Sequence, residues 1–359
     1  MEQSMKFDLP LALVVEQGIF EKVNEVVDKY IPDISKEKAI LVSETFLIDT
    51  YGNIVDEICK DFDGAPIYKV EQASFEQAVS LAKLICNENI KVVIGFGGGR
   101  VLDVAKYAAF VSKTTFISLP TTLSNDSLAS PFSVLEMEGK SRKTLSCNIP
   151  AAILVDTNMI ANAPKSQTLS GIGDTISKHT ALFDWKIEAK TTGKPLNDFA
   201  YAIARMSYDT IYHSDQKTLD NPTFIRILSR SLVMAGLAME IAGSSRPSSG
   251  SEHLFCHALE EYYPEIRISH GMAVAIGSVG ACIFQGRDEK QLVRVCNQFD
   301  LDLNPASYGI TKEIFIDCWK RATETRPDRI TILNTTDLND EWLGMIYDRM
   351  TSLDMNMYK

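Results

Sequence analysis

Six short apolar runs rich in β-branched residues, at 11–15, 39–43, 67–70, 92–96, 115–119 and 153–156, precede Pro164, and such runs largely vanish after it. Helical patterns at 19–30, 75–86 and 101–110 lie between several of these runs. Apolar strands separated by helices predict a parallel α/β sheet. Beyond Pro164 the chain reads as helices at 171–189, 198–212, 224–242, 251–262 and 271–284, with a helical tail over 288–359. The expected architecture is an N-terminal Rossmann-like α/β domain, 1–162, followed by an all-α domain, 163–359. A chain of 359 residues exceeds what one core usually organises, which agrees with two units. Their junction, near 157–165, is expected to form a cleft for a small molecule.

The net charge of −11 and the lack of any long Lys/Arg run argue against nucleic acid as a partner. An acidic chain can still bind a phosphate ester through a local pocket of amides and one or two cations. Seven cysteines lie scattered without a CxxC pair, as expected of reduced thiols in a cytoplasmic protein. No apolar run reaches the ~18 residues of a membrane span, and residues 1–8 carry no apolar signal region.

The segment VVIGFGGGRVLDVAK, 92–106, runs a strand into Gly97, Gly98 and Gly99 and then into a helix. Such a turn brings backbone N–H groups and a helix N-terminus close to a diphosphate. It also serves as a tight strand-to-helix turn without a ligand. The spacing departs from the usual GxGxxG fingerprint, because Arg100 and Leu102 stand where the third glycine belongs. A second cluster, LPTTLSNDSLASP at 119–131, follows a strand and is dense in hydroxyls. It reads either as a polar loop with an Asx turn or as a cofactor- and substrate-binding loop, and its position at a strand's C-terminal end favours the latter.

Three of the five histidines, His253, His257 and His270, fall within 18 positions. His253 and His257 are spaced i, i+4 and share one helix face. Asp174 is expected to open a helix of the second half. Two imidazoles and one carboxylate make a three-ligand set with an open position, the pattern of a catalytic divalent metal. The competing interpretation is core histidines with a capping aspartate. Cys256 shares the helix face within about 60° but has no second cysteine beside it, and is discounted as a ligand. His179 and His213 read as ordinary.

These motifs together resemble the iron-containing (group III) alcohol dehydrogenase and dehydroquinate synthase-like superfamily, and within it the sn-glycerol-1-phosphate dehydrogenase family. The resembling stretches are 95–106, 118–134, 171–188 and 244–262, then His270-Gly271. The resemblance implies that Asp174, His253 and His270 hold one divalent ion, zinc first, with nickel or iron as alternatives. It implies that Gly97, Gly98, Gly99, Arg100 and Val101, with Thr121, Thr122, Leu123, Ser124 and Ser130, bind NAD or NADP. Asp126 and His257 are implied to contact substrate, with Asp174 near it. Met272-Ala273 departs from the family, which commonly has Glu and a polar residue there. A homodimer or larger closed assembly is also implied.

The expected reaction interconverts dihydroxyacetone phosphate and sn-glycerol 1-phosphate with NAD(P)H. A Lewis-acid cation polarises a ketone without moving a proton, and His257 or a water then supplies one. Arg246, Lys178, Arg142 and Lys143 are candidates to meet the phosphate. Glu44, at the end of the second strand, is a candidate for the ribose 2′-hydroxyl, favouring NAD. The other readings are a dehydrogenase of unphosphorylated polyols or alcohols, a sugar-phosphate cyclase that uses NAD transiently, and a metal-binding regulator without catalysis.

Overall fold

The computed structural model describes residues 7–138 and 142–352. Its first half is a six-stranded, wholly parallel sheet in the order β1-β8-β5-β4-β2-β3. The strands are β1 Ala12–Glu16, β2 Ala39–Ser43, β3 Ile67–Lys69, β4 Val92–Gly97, β5 Thr115–Pro120 and β8 Ala152–Asp156. All six expected runs are therefore strands. β2, β4 and β8 are buried throughout, as the near-continuous apolar runs of a parallel sheet require. Alternate residues feed two cores. Leu41, Ile94, Ile117 and Leu154 pack with helices α1 Val23–Tyr30 and α3 Gly52–Asp61. Ile40, Val42, Val93 and Ile153 face the other way, toward α4 Phe75–Asn87 and α5 Gly99–Ser112.

Four local expectations change. The helix expected over 19–30 starts as a 3-10 turn, Ile19–Glu21, and becomes α-helical only after Lys22, whose φ of −149° interrupts it. Helices α2 Thr45–Thr50 and α3 were not anticipated. Nor was the antiparallel hairpin of β6 Phe132–Glu136 and β7 Arg142–Ser146. The helix expected over 171–189 is two, α7 Lys165–Ile176 and α8 Lys178–Thr192. Asp174 therefore closes a helix rather than opening one. The Ser177 hydroxyl and the Lys178 ammonium both donate to the Asp174 carbonyl, at 2.6 and 2.8 Å, which diverts it from the helical ladder.

After the short α6 Thr157–Asn162, the second half is helical among the described residues. It continues with α9 Asp198–Tyr212, α10 Pro222–Ala242, α11 Ser251–Tyr262, α12 His270–Phe284, α13 Lys290–Gln298, α14 Lys312–Arg321 and α15 Asp340–Thr351. Their ends carry the expected signals. Asn197 and Asn221 cap the starts of α9 and α10, the latter with Pro222 in its first turn, and Gly243 closes α10 in the left-handed region. Among the described residues, no helix is long and apolar enough to cross a membrane. Helices α7 and α12 cross so closely that a Cβ on Gly271 would lie 1.8 Å from the Ser170 carbonyl oxygen, and one on Gly173 would lie 2.2 Å from that of Gly271. This contact fixes the distance between Asp174 and His270.

Candidate active site

β4 and β5 are neighbours, so the glycine turn and the hydroxyl loop emerge side by side at the C-terminal edge of the sheet. None of Gly97, Gly98 and Gly99 has positive φ. Their need is close approach: a Cβ on Gly97 would meet the Val101 side chain at 2.5 Å, and one on Gly99 would meet Ser127 Oγ at 3.0 Å. Gly98 caps α5 without a side chain, so the first-turn N–H groups are available to a ligand. Val101 and Leu123 are buried in the core, so only their backbones can serve a dinucleotide. Thr121 is also buried, and its N–H donates to the Gly97 carbonyl. The Ser130 hydroxyl donates to the Phe132 carbonyl, while Thr122 and Ser124 stay partly exposed. Arg100 reaches Glu44 at 3.1 Å, which brings two residues singled out from the sequence together at the end of β2.

Lys106 joins the two loops and was not foreseen. Its buried ammonium donates to the carbonyls of Ser127 and Ser130, at 2.8 and 3.1 Å, and pairs with Asp103 at 3.3 Å. Burial raises the Asp103 carboxyl to about 6, with Lys106 opposing.

Asp174, His253 and His270, from α7, α11 and α12, bring one ligand atom each within 4.8 Å of the others. Asp174 Oδ1 lies 3.5 Å from His253 Nε2, and the two imidazole centroids are 5.4 Å apart. The outer nitrogens are held by carboxylates: His253 Nδ1 by the fully buried Glu252 at 2.9 Å, and His270 Nδ1 by Glu260 at 3.2 Å. Carboxylates on the outer nitrogens orient the inner ones toward a cation. One oxygen and two nitrogens on a buried, converging set fit a divalent transition ion. Cys256 Sγ sits 3.4 Å from His270 Nδ1, on that outer side with Glu260. Burial pushes its thiol up to about 11.

The hydroxyl loop meets this cluster directly, since the Asp126 N–H donates to Asp174 Oδ2 at 3.2 Å. Lys178, expected near a phosphate, is instead wholly buried and lies 3.4 Å from both the Asp126 and Asp174 carboxylates. Burial works against all three charges. For Asp174 the Lys178 ammonium and His253 outweigh it and hold the carboxyl well below its ordinary range. For Asp126 burial and the neighbouring Asp174 prevail, and the carboxyl is pushed up. The His257 ring forms no hydrogen bond among the described residues, so both ring nitrogens are free. Burial keeps that ring neutral against the pull of Glu260, with His253 and Arg326 adding to the effect.

The other phosphate candidates divide. Arg246 is buried and paired with Glu188 at 2.7 Å, Arg142 is exposed and lies 3.5 Å from Glu260, and Lys143 is exposed on β7. Arg326 and Arg329, from the tail that carried no readable motif, enter the same region: Arg329 donates to Ser249 and Ser245, and Arg326 to Thr144. His179, read as ordinary, packs on Arg287 and Tyr208 away from the triad, and burial lowers it to about 3. A cavity of about 440 Å³ lies at the opposite, N-terminal edge of the strands, between Ile90, Lys91 and Thr115, far from these groups.

Residues 14–164, the sheet half, match the sequence model of the family described as iron-containing alcohol dehydrogenase. The chain is 34% identical to the glycerol-1-phosphate dehydrogenase (NAD(P)+) of Sulfurisphaera tokodaii, over 93% of this chain and 94% of that one. It is 33% identical to the enzyme of the same name from Hyperthermus butylicus, over 94% and 95%. The chain belongs to the iron-containing alcohol dehydrogenase family, in its glycerol-1-phosphate dehydrogenase branch. The family fold is also that of solved structures at lower identity. A glycerol dehydrogenase from Schizosaccharomyces pombe superposes with a TM-score of 0.78 at 21% identity, covering 99% of this chain and 92% of that one. A probable glycerol dehydrogenase from Sinorhizobium meliloti gives 0.76 at 20%, covering 97% and 98%. Family membership spans both halves, including the helices that carry the triad.

Proposed function

We propose that the chain is an NAD(P)-linked, metal-dependent dehydrogenase interconverting dihydroxyacetone phosphate and sn-glycerol 1-phosphate. One observation carries the reading: the loop at the end of β5 is hydrogen-bonded through Asp126 to Asp174 of the converging triad. A dinucleotide on the glycine turn therefore has its reactive end beside a cation site. The curated relatives bear the name of this activity over nearly the full chain, which supports the choice of substrate.

Asp174, His253 and His270 would hold the ion, with zinc the first choice for two imidazoles and a carboxylate. When bound, the cation supplies Lewis-acid polarisation of a carbonyl oxygen and the nicotinamide supplies hydride. The remaining work falls to the protein. Gly98 and the α5 N-terminus bind the diphosphate, and Thr122 and Ser124 orient the cofactor. Lys106 keeps the two loops in register. Lys178 keeps Asp174 ionised and balances Asp126, whose carboxyl group meets a substrate hydroxyl. His257, neutral and with its ring unpartnered, would face the substrate through one nitrogen, accept the hydroxyl proton there in the alcohol-oxidising direction and return it from that same nitrogen in reduction. On this reading the two halves divide at 162/163 and the substrate binds between them.

The test is a zinc-reconstituted assay with NADH and NADPH against dihydroxyacetone phosphate and dihydroxyacetone. Faster reduction of the phosphorylated ketone is expected. Equal or better use of the unphosphorylated ketone, or full turnover by chelator-stripped protein, overturns the reading.

A further inference from the structure

We propose that the guanidinium groups of Arg246, Arg326 and Arg329, with the Ser248 hydroxyl, form the seat for the substrate's phosphate, a dianionic phosphomonoester. This rests on the reading above that the substrate is a phosphorylated ketone. It moves the phosphate away from Lys178, which the two aspartates occupy.

The 244–250 loop leads straight into α11, so it ends at the helix that carries His253 and His257. Arg246 of this loop is 6% exposed. Its Nε donates to Glu188 and one terminal nitrogen donates to the Ile330 carbonyl, both at 2.7 Å. Its other terminal nitrogen, Nη1, is buried with no acceptor, and so is the hydroxyl of Ser248. Leaving a charged donor buried and unpaired costs more than an ordinary hydrogen bond returns, so such groups point to a missing acceptor. Arg329 crosses from the tail onto the same loop. It donates to the Ser249 carbonyl at 2.9 Å and to the hydroxyls of Ser249 and Ser245 at 2.6 and 2.7 Å. Arg326 donates to Thr144 of the hairpin, and its charge reaches the His257 ring.

Close countercharges are scarce around these guanidiniums. Among the described residues, neither Arg326 nor Arg329 has a carboxylate within 4.0 Å, and only Glu188 pairs with Arg246. Within that distance three guanidiniums meet one carboxylate, while Glu252 and Asp328 act on Arg329 from farther away. Burial, with Arg246 and Arg326 nearby, pulls even the Arg329 guanidinium down to about 10. A purely structural role, tying the tail to the loop, accounts for the Ser245, Ser249 and Ile330 contacts. It does not account for the two orphaned groups or for the scarcity of close countercharges. A phosphomonoester answers both, since its oxygens accept several N–H groups in fork geometry and its charge is close to two at neutral pH.

Zinc-reconstituted protein is compared with Arg326→Gln, Arg326→Lys and Arg329→Lys. Arg246 is left alone because Glu188 depends on it. Two quantities are read: the ratio of kcat/KM for dihydroxyacetone phosphate to that for dihydroxyacetone, and the dissociation constant of inorganic phosphate by calorimetry. Arg326→Gln is expected to lower the ratio and weaken phosphate binding, each by about ten- to a hundredfold, the loss of one charged hydrogen-bond donor. Arg326→Lys recovers part of both. Unchanged ratio and unchanged phosphate affinity in all three variants overturn the proposal. A wild type that ignores the phosphorylated ketone, yet binds phosphate in an Arg326-dependent way, removes the substrate reading and keeps this seat. A wild type that prefers the phosphorylated ketone while no variant differs removes the seat and keeps the substrate.

Discussion

Single residues at the site answer to burial and to partners distant in sequence. Glu44 and Arg100 illustrate this: a carboxylate at the end of β2 and a guanidinium on the glycine-turn helix lie 3.1 Å apart. The carboxylate suits a ribose 2′-hydroxyl and repels a 2′-phosphate, whereas a freed Arg100 welcomes one. Glu44→Gln is expected to raise the NADPH-to-NADH ratio of kcat/KM by about tenfold, the effect of roughly one charge contact. An unaltered ratio in steady-state kinetics would count against the assignment. Asp184 gives a pH prediction. It accepts from the Ser251 N–H and hydroxyl, both at 2.7 Å, and burial, with Glu252 nearby, raises it to about 6. An acid raised on folding holds a proton that the unfolded chain has released. Its ionisation therefore costs nothing below about pH 4, and the cost grows until pH passes 6. Relative to wild type, Asp184→Asn should gain stability across that window, on the order of 2 kcal/mol. Melting temperatures at pH 4 and pH 7 check it, and a pH-independent difference refutes it. The triad was legible in the sequence because imidazoles are scarce in this chain and three of them crowd one stretch. Glu252 and Glu260 were not, because what marks them is the ring nitrogen they face, and Arg329 only acquires meaning through serines about 80 residues upstream, as Arg326 does through the more distant Thr144.

Among the elements, strands and long helices followed from periodicity because burial on one or two faces writes itself into the sequence. The hairpin and the α2–α3 pair were missed for the opposite reason. β7 is polar and largely exposed, and α2 spans only 6 residues, so neither leaves a clear apolar period. The split between α7 and α8 depends on side-chain bonds to the Asp174 carbonyl, which no period reports. The crossing of α7 and α12 carries its own prediction. A methyl on Gly271 would meet backbone, which no rotamer can relieve. Gly271→Ala is expected to lose at least about 2 kcal/mol and to weaken zinc binding, because Asp174 and His270 are pushed apart. Gly52→Ala, with nothing within 4 Å of its Cβ, is the control and should be neutral or slightly stabilising. Similar melting and zinc affinity for both variants would contradict the role given to the crossing.

At the scale of the whole molecule, an ion held by α7, α11 and α12 would tie together helices up to 96 positions apart in sequence, from Asp174 to His270. Binding only the folded form, it should add about 4 kcal/mol at a thousandfold excess over its dissociation constant. Calorimetry of stripped and zinc-loaded protein should therefore show a higher melting temperature with zinc, and Asp174→Asn should abolish the increment. Identical traces would show that the three side chains do not share a cation. One apolar cluster runs from Ile40 and Val93 of the sheet through Leu123 and Leu128 to Ile172, Leu228 and Leu254 of the helices. Swinging the two halves apart would tear that common interior open to water. A substrate would then pass the rim, where Arg142 and Thr144 of the hairpin reach across to Glu260 and Arg326. Turnover is therefore expected to respond to whatever loosens these two contacts.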